Sequence, residues 1–149
     1  MKPHRKTLLM LLLCLTTAVS YSQADLRPKV FQNFPETFVV NEPFFQNVFQ
    51  ATDGQDVNLA LNSNFNFPGK VLSNEYKYNN LQSVTIKSAL FDNAILHLSK
   101  IINDDNSITY VGRIINERAF DGYEIRRAAD GTYSFKKFET SKVMQDCNF

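Results

Sequence analysis

The feature that most constrains the fold is an alternation of apolar and polar residues that recurs through the second half of the chain. It runs through Val84–Lys87, Ala94–Ile102, Ile108–Ile115, Tyr123–Arg127 and Tyr133–Phe138. Successive side chains of a β-strand point to opposite faces, so a period of two is typical of strands that bury one face. The pattern therefore predicts five strands in this part of the chain.

The segments between these runs have the composition of tight turns. Asn103–Asn106, Asp121-Gly122 and Asp130-Gly131 are made of residues that tolerate the positive φ angles of hairpin turns. Connections this short join antiparallel neighbours, because a parallel crossover needs about a dozen residues. We therefore expect a meander of about four strands from Ala94 to Glu139, with Val84–Lys87 paired on its outer edge.

The first half of the chain has a weaker pattern. Val57–Leu61, Phe65–Phe67 and Lys70–Leu72 are expected strands, with Pro68-Gly69 as a turn, and a short helix fits around Phe44–Gln50. The predicted fold class is all-β and mainly antiparallel, a single-domain meander that forms a small sandwich or barrel with room for one short helix.

The N-terminus has the three-part layout of a secretory signal. A basic start is followed by the apolar run Leu8–Leu15 and by a stretch of small or weakly polar residues that ends at Ser22. The run is too short for a membrane anchor, which needs about 20 apolar residues. We therefore expect a signal peptide over residues 1–22, no anchor after its cleavage, and a secreted or periplasmic location.

Two alternatives for this processing remain open. Cleavage ahead of Tyr21 is an alternative to cleavage ahead of Gln23, because small residues lie three and one positions before both cuts. The second alternative is a lipid on Cys14, which follows three leucines and weakly resembles a lipoprotein acylation site. With Gln23 as the first residue, one domain of 127 residues is expected over residues 23–149. Cys147 is then the only cysteine, so it is a buried or tolerated thiol or an intermolecular link.

The charge of the expected mature chain argues against two classes of partner. The chain has 16 basic and 15 acidic side chains, but three of the basic ones precede residue 23, which leaves a charge of about −2. Nucleic-acid binding and binding to anionic membranes need a clear excess of basic groups. Neither is expected.

Side chains suited to catalysis or metal binding are few. His97 is the only histidine after residue 22, so neither a zinc ligand set nor a recognisable triad can be assembled from the pattern. Glu117, Asp121 and Glu124 cluster around one expected turn and are the carboxylates that a small hydrolase would use, with His97 nearby. We expect no cofactor, no metal and, as the leading hypothesis, no catalytic residue.

Aromatic and basic side chains supply the candidate binding residues. Tyr76 and Tyr78 are flanked by asparagines in an expected loop, and Tyr123, Arg126 and Arg127 interleave aromatic with basic groups. Such residues suit contact with a protein partner or a glycan. The alternative for the last two strands is a hairpin with aromatics inside and bases outside, in which Phe135 is buried and Lys136 is solvated.

Two functions are compatible with these observations. The first is an exported, non-catalytic binding or accessory module whose ligand is a protein or a polysaccharide. The second is a small secreted hydrolase that uses Glu117, Asp121 and Glu124. A cleft that brings the carboxylates together favours the hydrolase, and a flat or convex surface favours the module.

Overall fold

The structure is a computed structural model that describes residues 26–140. Eight strands and one helix form within these residues. Their bounds, in chain order, are β1 Thr37–Val40, α1 Glu42–Gln50, β2 Asp56–Asn62, β3 Phe65–Tyr78, β4 Leu81–Lys87, β5 Ile95–Ile102, β6 Ile108–Ile115, β7 Asp121–Arg127 and β8 Tyr133–Glu139. The expected signal peptide and Cys147 lie outside the described residues.

All eight strands belong to one antiparallel sheet. Its order is β1-β8-β7-β6-β5-β4-β3-β2, and the sheet curls into a nearly closed barrel in which β1 approaches β2. The predicted fold class is confirmed: β5 to β8 form the expected meander, β4 pairs with β5, and the short helix is α1. β1 was not predicted, because four residues are too few for alternation to stand out.

Alternation places the core inside the barrel. Phe135 is fully buried on the inner face of β8, whereas its neighbour Lys136 is exposed on the outer face. The expectation of aromatics inside and bases outside is therefore met at this position. The barrel interior is filled by phenylalanine, leucine, isoleucine and valine side chains from all eight strands and by the buried face of α1.

Two expected turns lie inside strands instead. Pro68 and Gly69 belong to the continuous 14-residue strand β3, and Asp121 and Gly122 begin β7. Pro68 is tolerated because the β3–β4 ladder begins only at Lys70, so this part of β3 is paired on one side alone. The other two turns are confirmed: Asn106 and Gly131 both have positive φ, 62° and 86°.

α1 begins with an N-terminal cap and packs its buried face against the barrel interior. The Asn41 side chain accepts a hydrogen bond from the Phe44 amide at 3.2 Å, and a proline lies in the first turn. Phe44, Phe45 and Val48 form the buried stripe of the helix. α1 therefore closes one end of the barrel, which we call the helix end; the β3–β4, β5–β6 and β7–β8 connections lie there.

The opposite end, which we call the phenylalanine end, is closed by aromatic rings. A turn beginning at Val30 carries Phe31 and Phe34 over the barrel, where they meet rings from β3, β7 and the β4–β5 connection. Phe34 and Phe65 have ring centroids 4.3 Å apart, and Phe31 and Tyr123 are 5.4 Å apart. The buried Asp121 carboxylate accepts a hydrogen bond from the Phe31 amide, which fixes the turn.

Within residues 26–140, no helix has the length and apolar character needed to cross a membrane.

Candidate functional site

A row of polar and aromatic side chains crosses four strands at the helix end. Tyr76, Gln82, Lys100 and Tyr110 are direct cross-strand neighbours on β3, β4, β5 and β6, so their side chains share the inner face of the sheet. We call these four residues the inner row. The neighbouring row one step deeper consists of Asn74, Val84, Leu98 and Gly112, of which Val84 and Leu98 are fully buried.

α1 presents a second polar surface to the inner row. Glu42, Gln46 and Gln50 recur every four residues along one face of the helix, as a helical stripe requires. Together with the inner row they border a cavity of about 290 Å³, which Phe45, Phe49 and Ile108 also line. The volume is close to the lower limit of about 300 Å³ for ligand pockets.

Two amide side chains fix the C-terminal end of α1 against the sheet. Asn74 Nδ2 donates to the backbone oxygens of Phe49 and Ala51, at 3.0 and 2.6 Å. Gln82 Nε2 donates to the Phe49 oxygen and to Asn74 Oδ1. Because these contacts orient the helix, Gln82 has a positioning role in addition to lining the cavity.

Tyr110 forms the inner wall on the β6 side. Its ring stacks on Phe45 with centroids 3.8 Å apart, and its hydroxyl donates to Glu42 Oε1 at 3.3 Å. Burial, reinforced by the negative charge of Glu42, raises the pKa of Tyr110 to about 12. The phenol is therefore a neutral hydrogen-bond donor at any physiological pH.

The sheet is opened at this end by a separation of β6 from β7. The two strands pair only at Arg113–Glu124 and Ile114–Tyr123, which lie near the phenylalanine end of β6. The Tyr133 hydroxyl fills the gap: it accepts a hydrogen bond from the Tyr110 amide at 3.1 Å and donates to the Ile108 oxygen at 3.4 Å. A side chain thus replaces part of the backbone ladder.

The sequence-predicted binding residues fall in three places. Tyr76 and Tyr78 belong to the last residues of β3 and not to the expected loop; they lie at the helix end, with 72% and 71% of their surfaces exposed. Arg127 lies at the same end, with its guanidinium 5.8 Å from the Tyr133 ring centroid. Arg126 is on the outer face, where Nε donates to Glu124 at 2.8 Å.

Tyr123 is in the core and is not available to a ligand. Its ring is fully buried, and its hydroxyl donates to the Pro35 oxygen at 2.6 Å. Burial raises the pKa of this phenol well above its usual value. The strand alternation explains the placement, because position 123 shares the inner face with Ile125.

A larger groove of about 760 Å³, which we call the outer groove, lies along β7 and β8. Of its basic side chains, Lys137 and Arg126 are paired with carboxylates, whereas Lys136 has no ion pair in the described range. Lys137 lies 3.0 Å from Glu36, Arg126 is bound to Glu124, and Lys29 lies over the Phe120 ring. Mutual neutralisation of this kind is typical of a solvated surface. The groove is therefore the weaker candidate site.

Two of the three candidate catalytic carboxylates, Asp121 and Glu124, border the same groove, but both are engaged by other groups. Asp121 is 3% exposed and accepts the Phe31 amide, whereas Glu124 lies three residues along β7, on the opposite face, and binds Arg126. Glu117 is exposed, and its backbone oxygen accepts from Arg27. His97 lies on β5, two strands from Glu124, with Nδ1 3.2 Å from the Thr85 hydroxyl.

No group of three or more histidine, cysteine, aspartate and glutamate side chains in residues 26–140 is arranged to hold a metal ion. The lining residues that the sequence pattern does not identify as candidates include Glu42, Gln46, Gln50, Gln82, Lys100 and Tyr110. Lys100 carried a usable signal, because it continues the apolar positions Leu96 and Leu98 of an alternating strand. A lysine in that register faces inward, and an inward-facing lysine indicates that the apolar core ends at this position.

Comparison with known proteins identifies no relative: no family model, no curated protein and no solved structure matches the chain.

Proposed function

We propose that the protein is an exported, non-catalytic binding module that acts outside the cytoplasm and takes its ligand at the helix end. The observation that carries the proposal is the inner row of Tyr76, Gln82, Lys100 and Tyr110. These side chains occupy inward positions of a barrel-like sheet, yet all four carry a polar group: two phenol hydroxyls, an amide and an ammonium.

The surroundings of the inner row extend the surface. Tyr78, Ile102 and Ile108 lie near the strand ends and remain exposed, the two isoleucines by 38% each. Ile102 and Ile108 are cross-strand partners, one step beyond Lys100 and Tyr110. Aromatic and aliphatic groups beside a few polar groups are typical of recognition surfaces.

The arrangement of carboxylates supports binding rather than hydrolysis. Asp121 is used to fix a turn and Glu124 to bind an arginine, as described above. The ligand of the module is a protein partner or a polysaccharide met in the periplasm or in the medium. Export itself rests on the N-terminal charge and apolar pattern.

The proposal is tested with a double variant, Tyr76→Ala with Tyr78→Ala. Leu90→Ala is the matched control, because Leu90 is 73% exposed and lies in the β4–β5 connection at the phenylalanine end. Purified protein is assayed by affinity electrophoresis in gels that contain pectin, alginate, xylan or soluble cellulose. In parallel, immobilised protein is used to capture proteins from the medium of the producing organism.

We expect the double variant to lose the retardation or the capture that wild type shows, and the Leu90 variant to keep it. Retention of all binding by the double variant would show that the ligand site is elsewhere.

A further inference from the structure

The chemistry of the cavity at the helix end identifies a class of ligand, on the premise that the helix end is the binding site. We infer that this cavity binds one acidic sugar residue of a polysaccharide, with its carboxylate on Lys100, its ring against Tyr76 and its hydroxyls on the helix glutamines. Three kinds of group surround this small volume: an ammonium, two amides and an aromatic ring.

The first group is the ammonium of Lys100. It lies half-buried on the inner face of β5, between Gln82 and Tyr110, and has no ion pair or hydrogen bond to any residue in the range 26–140. A partly desolvated ammonium without an acidic partner loses hydration energy that an anionic ligand restores. Among the described residues that line the cavity, Glu42 is the one carboxylate, and its Oε1 accepts the Tyr110 hydroxyl.

The second group is a pair of helix amides. Gln46 and Gln50 are exposed, and their side chains make no hydrogen bond to a residue in the described range. An amide side chain both donates and accepts, as a sugar hydroxyl does. The two amides are one helical turn apart, about 6 Å along the axis, so both flexible side chains are close enough to reach hydroxyls of one sugar ring.

The third feature is the size of the cavity and its aromatic wall. About 290 Å³ admits a single ring and not the face of a folded partner. Tyr76 is 72% exposed beside it, so one face of its ring is free to pack on the C–H face of a sugar. A peptide rich in aspartate or glutamate would also satisfy Lys100, and its backbone groups would pair with the two amides, so the test includes such a peptide.

The test compares a galacturonic-acid oligosaccharide with the same oligosaccharide after reduction of its carboxylates to alcohols. Affinities are measured by calorimetry for wild type, Lys100→Met and Lys136→Met. Lys136 is the control because it is an exposed lysine of the outer groove without an ion pair in the described range. Methionine keeps the length of the lysine stem and removes its charge.

We expect wild type and Lys136→Met to bind the acidic form about ten-fold or more tightly than the reduced form, since one charged hydrogen bond is at stake. Lys100→Met is expected to bind both forms equally and to unfold at the wild-type denaturant midpoint. If wild type binds both forms equally, through Tyr76, the acidic specificity is wrong and the binding module stands.

Two further outcomes would overturn either the proposed ligand or the proposed site. Binding of a poly-glutamate peptide through Lys100, with neither sugar bound, would replace the glycan by a protein ligand. Sugar binding that survives both Lys100→Met and Tyr76→Ala would overturn the assignment of the site and, with it, the proposed function.

Discussion

The two ends of the barrel are closed by different means, and the difference separates stability from recognition. At the phenylalanine end, aromatic rings close the interior and the buried Asp121 is satisfied by a backbone amide. At the helix end, a nine-residue helix closes the interior and leaves polar side chains around a cavity. Both ends use the same inward register of the sheet, so the element that closes each end and the polarity of its side chains make one end a core and the other a surface.

The largest expected contrast is between one ring at each end. Phe31 is fully buried and packs on four other rings, so Phe31→Ala is expected to lower the free energy of unfolding by about 3–5 kcal/mol. Tyr76→Ala removes an exposed ring and is expected to stay within about 0.5 kcal/mol of wild type. Denaturant titration of both variants measures the difference, and similar costs would remove the distinction between the ends.

The next effect concerns the gap between β6 and β7 at the helix end. Tyr133→Phe keeps the ring but removes the hydroxyl that pairs the Tyr110 amide and the Ile108 oxygen. We expect a loss of about 1–3 kcal/mol, because a buried amide is left unsatisfied. The measurement is chemical denaturation, with hydrogen exchange at Tyr110 as a second readout. Unchanged exchange at that amide would mean that another acceptor takes over.

A smaller cost is expected at the start of α1. Asn41→Ala removes the side-chain acceptor for the Phe44 amide, and such a change typically costs about 1 kcal/mol. Asn41→Asp, which keeps the acceptor, is the control and is expected to remain close to wild type. Equal losses in the two variants would show that the cap acts through something other than this hydrogen bond.

The last effect depends on pH. The pKa of Tyr110 is raised from its ordinary value of 10.0 to about 12, so the folded state favours the neutral phenol. The corresponding stability is complete below about pH 10 and is lost as the pH rises towards 12. We expect the denaturant midpoint of wild type to fall more steeply over this range than that of Tyr110→Phe. Parallel pH profiles would contradict the raised pKa.

Some strands and turns of the fold are predictable from the sequence, and others are not. Alternation in β4 to β8 was long enough to define the meander, and Asn106 and Gly131 marked their turns correctly. The four residues of β1 are too short a pattern to predict a strand. Pro68 indicates a turn in the sequence alone, because a strand paired on one side is recognised only with its neighbours in place.

The candidate site was only partly predictable, for a different reason. Tyr76 and Tyr78 were identified because tyrosines beside asparagines suggest exposure, and both are exposed. The partnership of Tyr76 with Lys100 and Tyr110 depends on strand register, and these residues are far apart in the chain. Tyr123 was included because aromatic and basic residues alternate there, but that alternation places its ring in the core.

The most direct test of the account is a map of the amides that respond when the protein binds. Amide chemical shifts of the isotope-labelled protein are recorded during titration with the polysaccharide or secreted protein retained in the binding assays. We predict shifts centred on Tyr76, Gln82, Lys100 and Tyr110, with none at Phe31 or Phe65. Shifts centred instead on Lys29, Glu124 and Lys136 would place recognition in the outer groove and contradict the division between the two ends.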